Sequence, residues 1–202
     1  MKALYSILFV LLILCLTTKF TISSEINQDY NWQPKEGGEL IGKRAPSLKG
    51  LKWLNTEQLQ IEDLRGKVVL IRFWLVGCPF CESSAPSLVD FYNKYQDNDF
   101  VVIGIHHPKS EAAKDPDLVL RKAKVFGFEF PIAQDNDWEV INEYWTGDEK
   151  RSYTSSSFLI DKKGVIRFVH DGGEYYLSED DKDPNLAYLT IDKKIRELIS
   201  EK

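Results

Sequence analysis

Val68–Leu75 is an apolar run interrupted only by Arg72, and Gly77 ends it. A run of this length without polar alternation predicts a strand covered on both faces, as at the centre of a parallel sheet. A helix is predicted next, because Leu88, Phe91, Tyr92 and Tyr95 recur at the spacing of one helical stripe. Pro86 lies inside that pattern and is expected to kink the helix. Between strand and helix stands Cys78-Pro79-Phe80-Cys81. Whatever else the chain does, it must fold so that this turn lies at the carboxyl edge of a sheet, where open α/β folds place their sites.

The rest of the pattern is compatible with that demand. Leu51–Leu54 and Leu59–Ile61 read as short strands, Phe100–Ile105 as a second buried strand, and Pro116–Phe126 as a helix stopped by Gly127. Phe130–Ala133 reads as a strand and Trp138–Trp145 as a short helix, with Trp138 and Trp145 packed beneath this insertion. Ser157–Ile160 and Val165–His170 flank Asp161-Lys162-Lys163-Gly164, a hairpin signal. Ile191, Ile195, Leu198 and Ile199 mark a closing helix, preceded by an acidic loop at Ser178–Asp183. The core order is β-α-β-α-β-β-α, with an N-terminal strand extension and an insertion before the third strand. It predicts an α/β class, a mixed central sheet flanked by helices. No linker divides residues 42–202, which form one domain of ordinary size.

The front of the chain is different. Lys2 precedes an apolar stretch, Ala3–Leu16, shorter than the roughly 20 residues that span a bilayer. Residues 1–24 are therefore expected to be a secretory signal peptide, with an uncleaved anchor as the alternative. Cys15 belongs to the apolar segment, since Leu14 stands where a lipidated cysteine needs a small neighbour. Residues 25–41, with Pro34 and Gly37-Gly38, read as a polar lead-in. The expected location is outside the cytoplasm: periplasmic, extracellular, or anchored with the domain facing out. The formal charge of −5, with 26 Lys and Arg against 31 Asp and Glu, argues against a dedicated nucleic-acid binder.

Removing the signal leaves two cysteines of three, Cys78 and Cys81. A bridge between them closes so short a loop that it adds little stability by the loop-entropy argument. At the first turn of a helix, unpaired N–H groups and the macrodipole favour a negative sulfur. The first cysteine is then a nucleophile toward disulfides, and the second, one turn on, resolves the mixed disulfide. The alternatives are a structural bridge or half of a zinc site, though zinc calls for a second cysteine pair that the chain lacks.

The pattern FWxxxCxxC at Phe73–Cys81, with Pro86 five residues on, resembles the thioredoxin superfamily. Within it the chain is similar to the TlpA/ResA-type extracytoplasmic thiol-disulfide oxidoreductases, and more so to the thioredoxin-like domains of DipZ-type and NHL-repeat proteins. The supporting segments are Gly66–Ile71, Val102–Pro108, Phe130–Asp137, Ser157–Gly164 and His170–Tyr175, so the likeness covers about Gly42 to Lys202. It implies a thioredoxin-like fold and cofactor-free disulfide exchange through Cys78 and Cys81. Protein thiols or disulfides would be the substrates, a membrane electron donor a further partner, and the chain a monomer.

Three positions depart from the family pattern. Ser155 stands where such folds carry a cis-proline facing the cysteines, and a cis bond before serine costs about 3–4 kcal/mol. Gly77 replaces the tryptophan that often precedes the first cysteine. Arg72 stands where relatives have an acid or an amide; it cannot serve as a base, and directed at the pair it would favour thiolate. Both Ser155 and Arg72 are expected to tune the redox pair; for Arg72 the alternative is pairing with a distant carboxylate. His106 and His107 end the second buried strand, which raises a copper-chaperone alternative of the kind seen in Sco-type proteins. The loop Tyr153–Ser157 lacks the histidine of that pattern, and no metal is expected. His170 is expected at the surface. The other alternative is a redox-inert interaction module.

Overall fold

Strand β2 (Val68–Trp74) is buried at all seven positions, because it is paired along both edges and covered on both faces. The computed structural model describes residues 31–201 apart from Asp148, and the expected signal segment, residues 1–24, lies outside them. β2 pairs in parallel with β3 (Phe100–His106) and antiparallel with β5 (Ser157–Ile160). β5 pairs with β6 (Ile166–His170), while β4 (Ile132–Gln134) and β1 (Lys52–Trp53) extend the opposite edge. The result is one mixed six-stranded sheet in the order β1-β4-β3-β2-β5-β6.

Alternation along the strands divides the core in two. Val68, Leu70 and Trp74 face α1 (Pro79–Tyr95), α2 (Pro116–Val125) and α4 (Lys182–Ser200) through Cys81, Leu88, Phe91, Val119, Ile191 and Ile195. Val69, Ile71 and Phe73 face the other way, onto Leu48, Ile61, Leu64 and the insertion residues Tyr144 and Trp145. The insertion is the short α3 (Glu139–Ile141) running into a π-helical turn at Asn142–Thr146. Asp135 caps it by accepting the Ile141 N–H at 2.7 Å.

Several local expectations change. Leu59–Ile61 is not a strand: the Asp63 N–H bonds to the Gln60 carbonyl and the Leu64 N–H to that of Ile61, so the backbone is consumed in turns. Strand β4 begins at Ile132 rather than Phe130, after Pro131, whose missing N–H cannot join a ladder. α1 is one helix across Pro86, which leaves the Glu82 carbonyl without its helical donor. Of the expected lead-in, residues 31–41 lie on the domain, with the Trp32 N–H bonded to Thr190 Oγ1 and a short 3-10 turn at Gly38–Leu40. His170 is a correction: it is 2% exposed, because Trp32 stacks on it at 4.5 Å and Tyr175 meets it edge-on.

Gly104 in β3 is closely packed beneath Trp74. A Cβ there would come within 2.9 Å of Ile132 Cδ1 and 3.2 Å of the Trp74 indole nitrogen. Gly104→Ala is therefore expected to destabilise by about 1–3 kcal/mol through overpacking, measured as a lower denaturant midpoint with unchanged slope. An unchanged midpoint would show that the Trp74 pocket is looser than this packing implies.

Candidate active site

β2 ends at Trp74, and Leu75-Val76-Gly77 turns the chain into α1. Gly77 has φ +82, a left-handed conformation that a side chain disfavours, which accounts for glycine immediately before the cysteine. Cys78 is the N-cap of α1, half-buried, and its sulfur accepts the Cys81 N–H at 3.2 Å. Cys81 lies one turn deeper and is 2% exposed. The Cys81 thiol also donates to the Cys78 sulfur; together with backbone N–H donors and the Arg72 charge it outweighs burial and lowers the Cys78 pKa to about 6. The same thiol-to-sulfur bond, then burial, pushes Cys81 far up. The pair is thus asymmetric: one accessible sulfur that ionises readily, and one sealed sulfur that keeps its proton while its neighbour is charged.

Arg72 is fully buried beneath this turn. Its Nη1 donates to Ser157 Oγ at 3.2 Å and its Nη2 to the Gly173 carbonyl at 2.9 Å. The guanidinium lies 5.1 Å from the centre of the Tyr175 ring. The distant carboxylate weighed from the sequence is not found among the described residues. Tyr175 ties the assembly to the helix: its hydroxyl pairs with Ser157 Oγ at 3.1 Å, its N–H donates to Ser84 Oγ, and its carbonyl accepts from Ser87 Oγ. Sequence reasoning missed Tyr175, Ser157 and Gly173 as neighbours of Arg72. The one available signal was an aromatic two residues after the glycine turn at Gly172-Gly173.

Ser155 lies in the buried loop before β5, and the described chain contains no cis peptide bond, so this loop is trans. The loop is anchored at both ends: Tyr153 accepts the Trp145 indole N–H through its carbonyl, and the Ser156 carbonyl accepts the Phe73 N–H. Tyr153 meets Phe80 edge-on at 5.4 Å, and both rings remain partly exposed. Beside them opens a cleft of about 520 Å³ whose walls include Trp32, Phe80, Tyr153 and Gly173. The loop and the cysteine turn therefore meet through aromatic rings, next to a space that an extended partner segment can enter.

The histidines at the end of β3 are interior groups. His106 Nε2 accepts the Val76 N–H at 3.3 Å, and its ring stands edge-on to Trp74. His107 Nε2 pairs with Thr154 Oγ1 at 2.9 Å and stands edge-on to Trp138. Burial lowers His106 to about 4 and His107 to about 3. Among the described residues no group of three or more His, Cys, Asp or Glu side chains is placed to hold a metal ion, so the geometry lends the copper alternative no ligand set.

Comparison with known proteins gives a consistent picture. Residues 41–169 match the AhpC/TSA family. Protein DipZ of Mycobacterium tuberculosis is 39% identical over 140 residues, 67% of this chain and 19% of DipZ, so the chain spans about a fifth of that relative's length. The thiol-disulfide oxidoreductase ResA of Bacillus cereus is 31% identical over 157 residues, 78% of this chain and 81% of ResA. The crystal structure of a thiol-disulfide isomerase from Corynebacterium glutamicum superposes with a TM-score of 0.61 at 27% identity, covering 78% of this chain and 98% of that one.

Two outcomes follow from the charges at this site. Alkylation of the reduced protein by iodoacetamide should fall on Cys78 with a midpoint near pH 6 and spare Cys81; a midpoint at the ordinary thiol value of about 8.5 contradicts the geometry. The histidines act on stability. Their folded-state values lie below the ordinary 6.5, so the unfolded chain takes up protons first as pH falls. Stability held by the neutral rings is whole above pH 6.5 and is lost toward their folded values near 4 and 3. Unfolding free energy should fall below pH 6.5 by a few kcal/mol, and His107→Gln should flatten that decline. A level profile between pH 7 and 4 would show that neither ring is held neutral.

Proposed function

The chain belongs to the AhpC/TSA family and has the thioredoxin-like fold, and from that premise we propose that it exchanges disulfides with protein partners through Cys78 and Cys81. The observation that carries this reading is the asymmetry of the pair: Cys78 half-exposed at the N-cap of α1 with its pKa lowered to about 6, and Cys81 one turn inside. At neutral pH the Cys78 thiolate attacks one sulfur of a substrate disulfide, a new S–S bond forms, and the other substrate sulfur leaves as thiolate. Cys81 then attacks the Cys78 sulfur, the mixed disulfide breaks, and the second substrate sulfur leaves. Two electrons pass from the protein dithiol to the substrate. The reverse sequence makes the protein a disulfide donor.

The trans loop containing Ser155, with Tyr153 against Phe80 and the adjoining cleft, is the place for the substrate chain flanking the reacting sulfur. Extended backbone there would run beside the buried Ser155–Ser157 segment, which makes this loop a determinant of partner choice. Export is part of the proposal and rests on Lys2 and the apolar run Ala3–Leu16. No helix of the described residues is long and apolar enough to cross a membrane. An exported dithiol would be regenerated by a second dithiol, with a membrane electron donor as the source.

The wild-type protein should reduce a model disulfide protein in the presence of dithiothreitol, and Cys78→Ser should abolish this. Cys81→Ser should instead accumulate a stable mixed disulfide through Cys78, visible on non-reducing gels. Turnover that survives Cys78→Ser overturns the reading, and an inert wild type leaves the interaction module.

A further inference from the structure

Arg72 poses a problem that the exchange chemistry alone does not absorb. It is fully buried, and its Nε finds no acceptor among the described residues. Its two hydrogen bonds among the described residues go to neutral oxygens, those of Ser157 and Gly173. A guanidinium cannot lose its proton in a protein, and a buried charge calls for an opposite one. By alternation along β2, Arg72 lies on the face that α1 covers; its neighbours on that face, Leu70 and Trp74, pack in the same cluster as Cys81, with Cys78 against its margin.

Among the described residues, the Arg72 charge bears on five titratable groups: Cys78, Cys81, His107, His170 and Tyr175. They lie on α1, just after β3, at the end of β6 and in the segment after it. Burial holds both imidazoles neutral and pushes the Tyr175 phenol up. Cys81 is pushed up by the hydrogen bond it donates to Cys78 and then by burial. Of the five, Cys78 alone is left to carry negative charge at neutral pH.

We propose that Arg72 is the positioning cation of the dithiol: the fixed counter-charge that the Cys78 thiolate neutralises in the reduced protein, and that the Cys81 sulfur meets in turn once Cys78 is held in a mixed disulfide. The inference rests on the disulfide-exchange reading and adds a role for charge where a proton-accepting side chain would otherwise be needed. The reduced protein enters the reaction as one thiolate and one thiol. With a substrate disulfide and one proton from solvent it gives the Cys78–Cys81 disulfide and two substrate thiols; the other proton comes from Cys81. While Cys78 is bonded to substrate it carries no charge, the field of Arg72 acts on Cys81 alone, and Cys81 ionises to attack. Once the protein disulfide has formed, the cation has no counter-charge. The reduced form is thereby favoured, which raises the potential of the pair relative to one without the cation.

The test compares wild type, Arg72→Gln and Arg72→Lys. Thiolate absorbance should show the Cys78 midpoint rising by about one pH unit in Arg72→Gln, a tenfold loss of thiolate at a given low pH, with most of the wild-type value kept in Arg72→Lys. After mixing with a model disulfide, Arg72→Gln should resolve its mixed disulfide about tenfold more slowly, a readout that a purely structural arginine would not move. Unchanged Cys78 titration and unchanged resolution in a folded Arg72→Gln overturn the proposal while leaving the exchange reading intact. An absence of exchange in the wild type overturns the exchange reading itself.

Should the glutamine variant not fold, the wild type supplies the answer. A thiol whose folded value is lowered stabilises the reduced form above that value and loses the contribution as pH falls through it. The reduced protein should therefore resist denaturant better than the oxidised one, and its advantage should grow from about pH 6 toward about pH 9. An oxidised form as stable as the reduced form at the upper end overturns the proposal.

Discussion

Strand β2 holds the molecule together and aims its chemistry. It is hydrogen-bonded to β3 on one edge and β5 on the other, and neither of its faces reaches solvent. A strand held on four sides cannot shift its register without turning every side chain to the wrong layer. Its carboxyl end is consequently a fixed point, and the three residues from Leu75 to Gly77 carry that precision to Cys78 at the start of α1. The helix is fixed in turn by Phe91 and Leu88 in the core and by Tyr175, whose backbone bonds to both Ser84 and Ser87. The Cys78 sulfur is thus positioned by a strand buried at every position.

The same strand places a cation in the core. Ser157, Gly173 and Tyr175 arrange neutral dipoles and a ring face around Arg72 without cancelling its charge. In low-dielectric surroundings a neighbouring sulfur that ionises gains more than it would in water. Three influences therefore favour the Cys78 thiolate: the Cys81 thiol that donates to it, the N–H donors of a helix start, and a charge from beneath. Cys81 is held protonated by the bond it donates to Cys78 and then by burial. The division of labour between the two sulfurs needs no base among the surrounding side chains.

Much of this was legible in the sequence because local pattern and tertiary environment agreed. β2, β3 and the β5–β6 hairpin were visible as apolar runs, and α1 and α4 as periodic stripes, since each is buried across the width that its pattern announces. Leu59–Ile61 reads as a strand because two apolar residues flanking a polar one suit a strand and a turn equally, whereas in the fold Ile61 and Leu64 anchor a turn. His170 looked like a surface residue because its cover, Trp32, is remote in sequence and lies in a stretch that reads as polar. At the site, the cysteine spacing and the oddity of Arg72 could be read directly. The partners of Arg72 could not, since Ser157 and Gly173 stand 85 and 101 residues away. Local pattern carries no information about contacts made by topology.

The most direct measurement is a redox titration of the protein in glutathione and dithiothreitol buffers. Trp74 fluorescence can follow it, because that indole packs in the cluster that contains Cys81. The account predicts one reversible two-electron transition, absent in Cys78→Ser, at a potential well above the −270 mV or so of thioredoxin, toward the −120 mV or so of strong disulfide donors. A chain that shows no reversible transition across that range contradicts it.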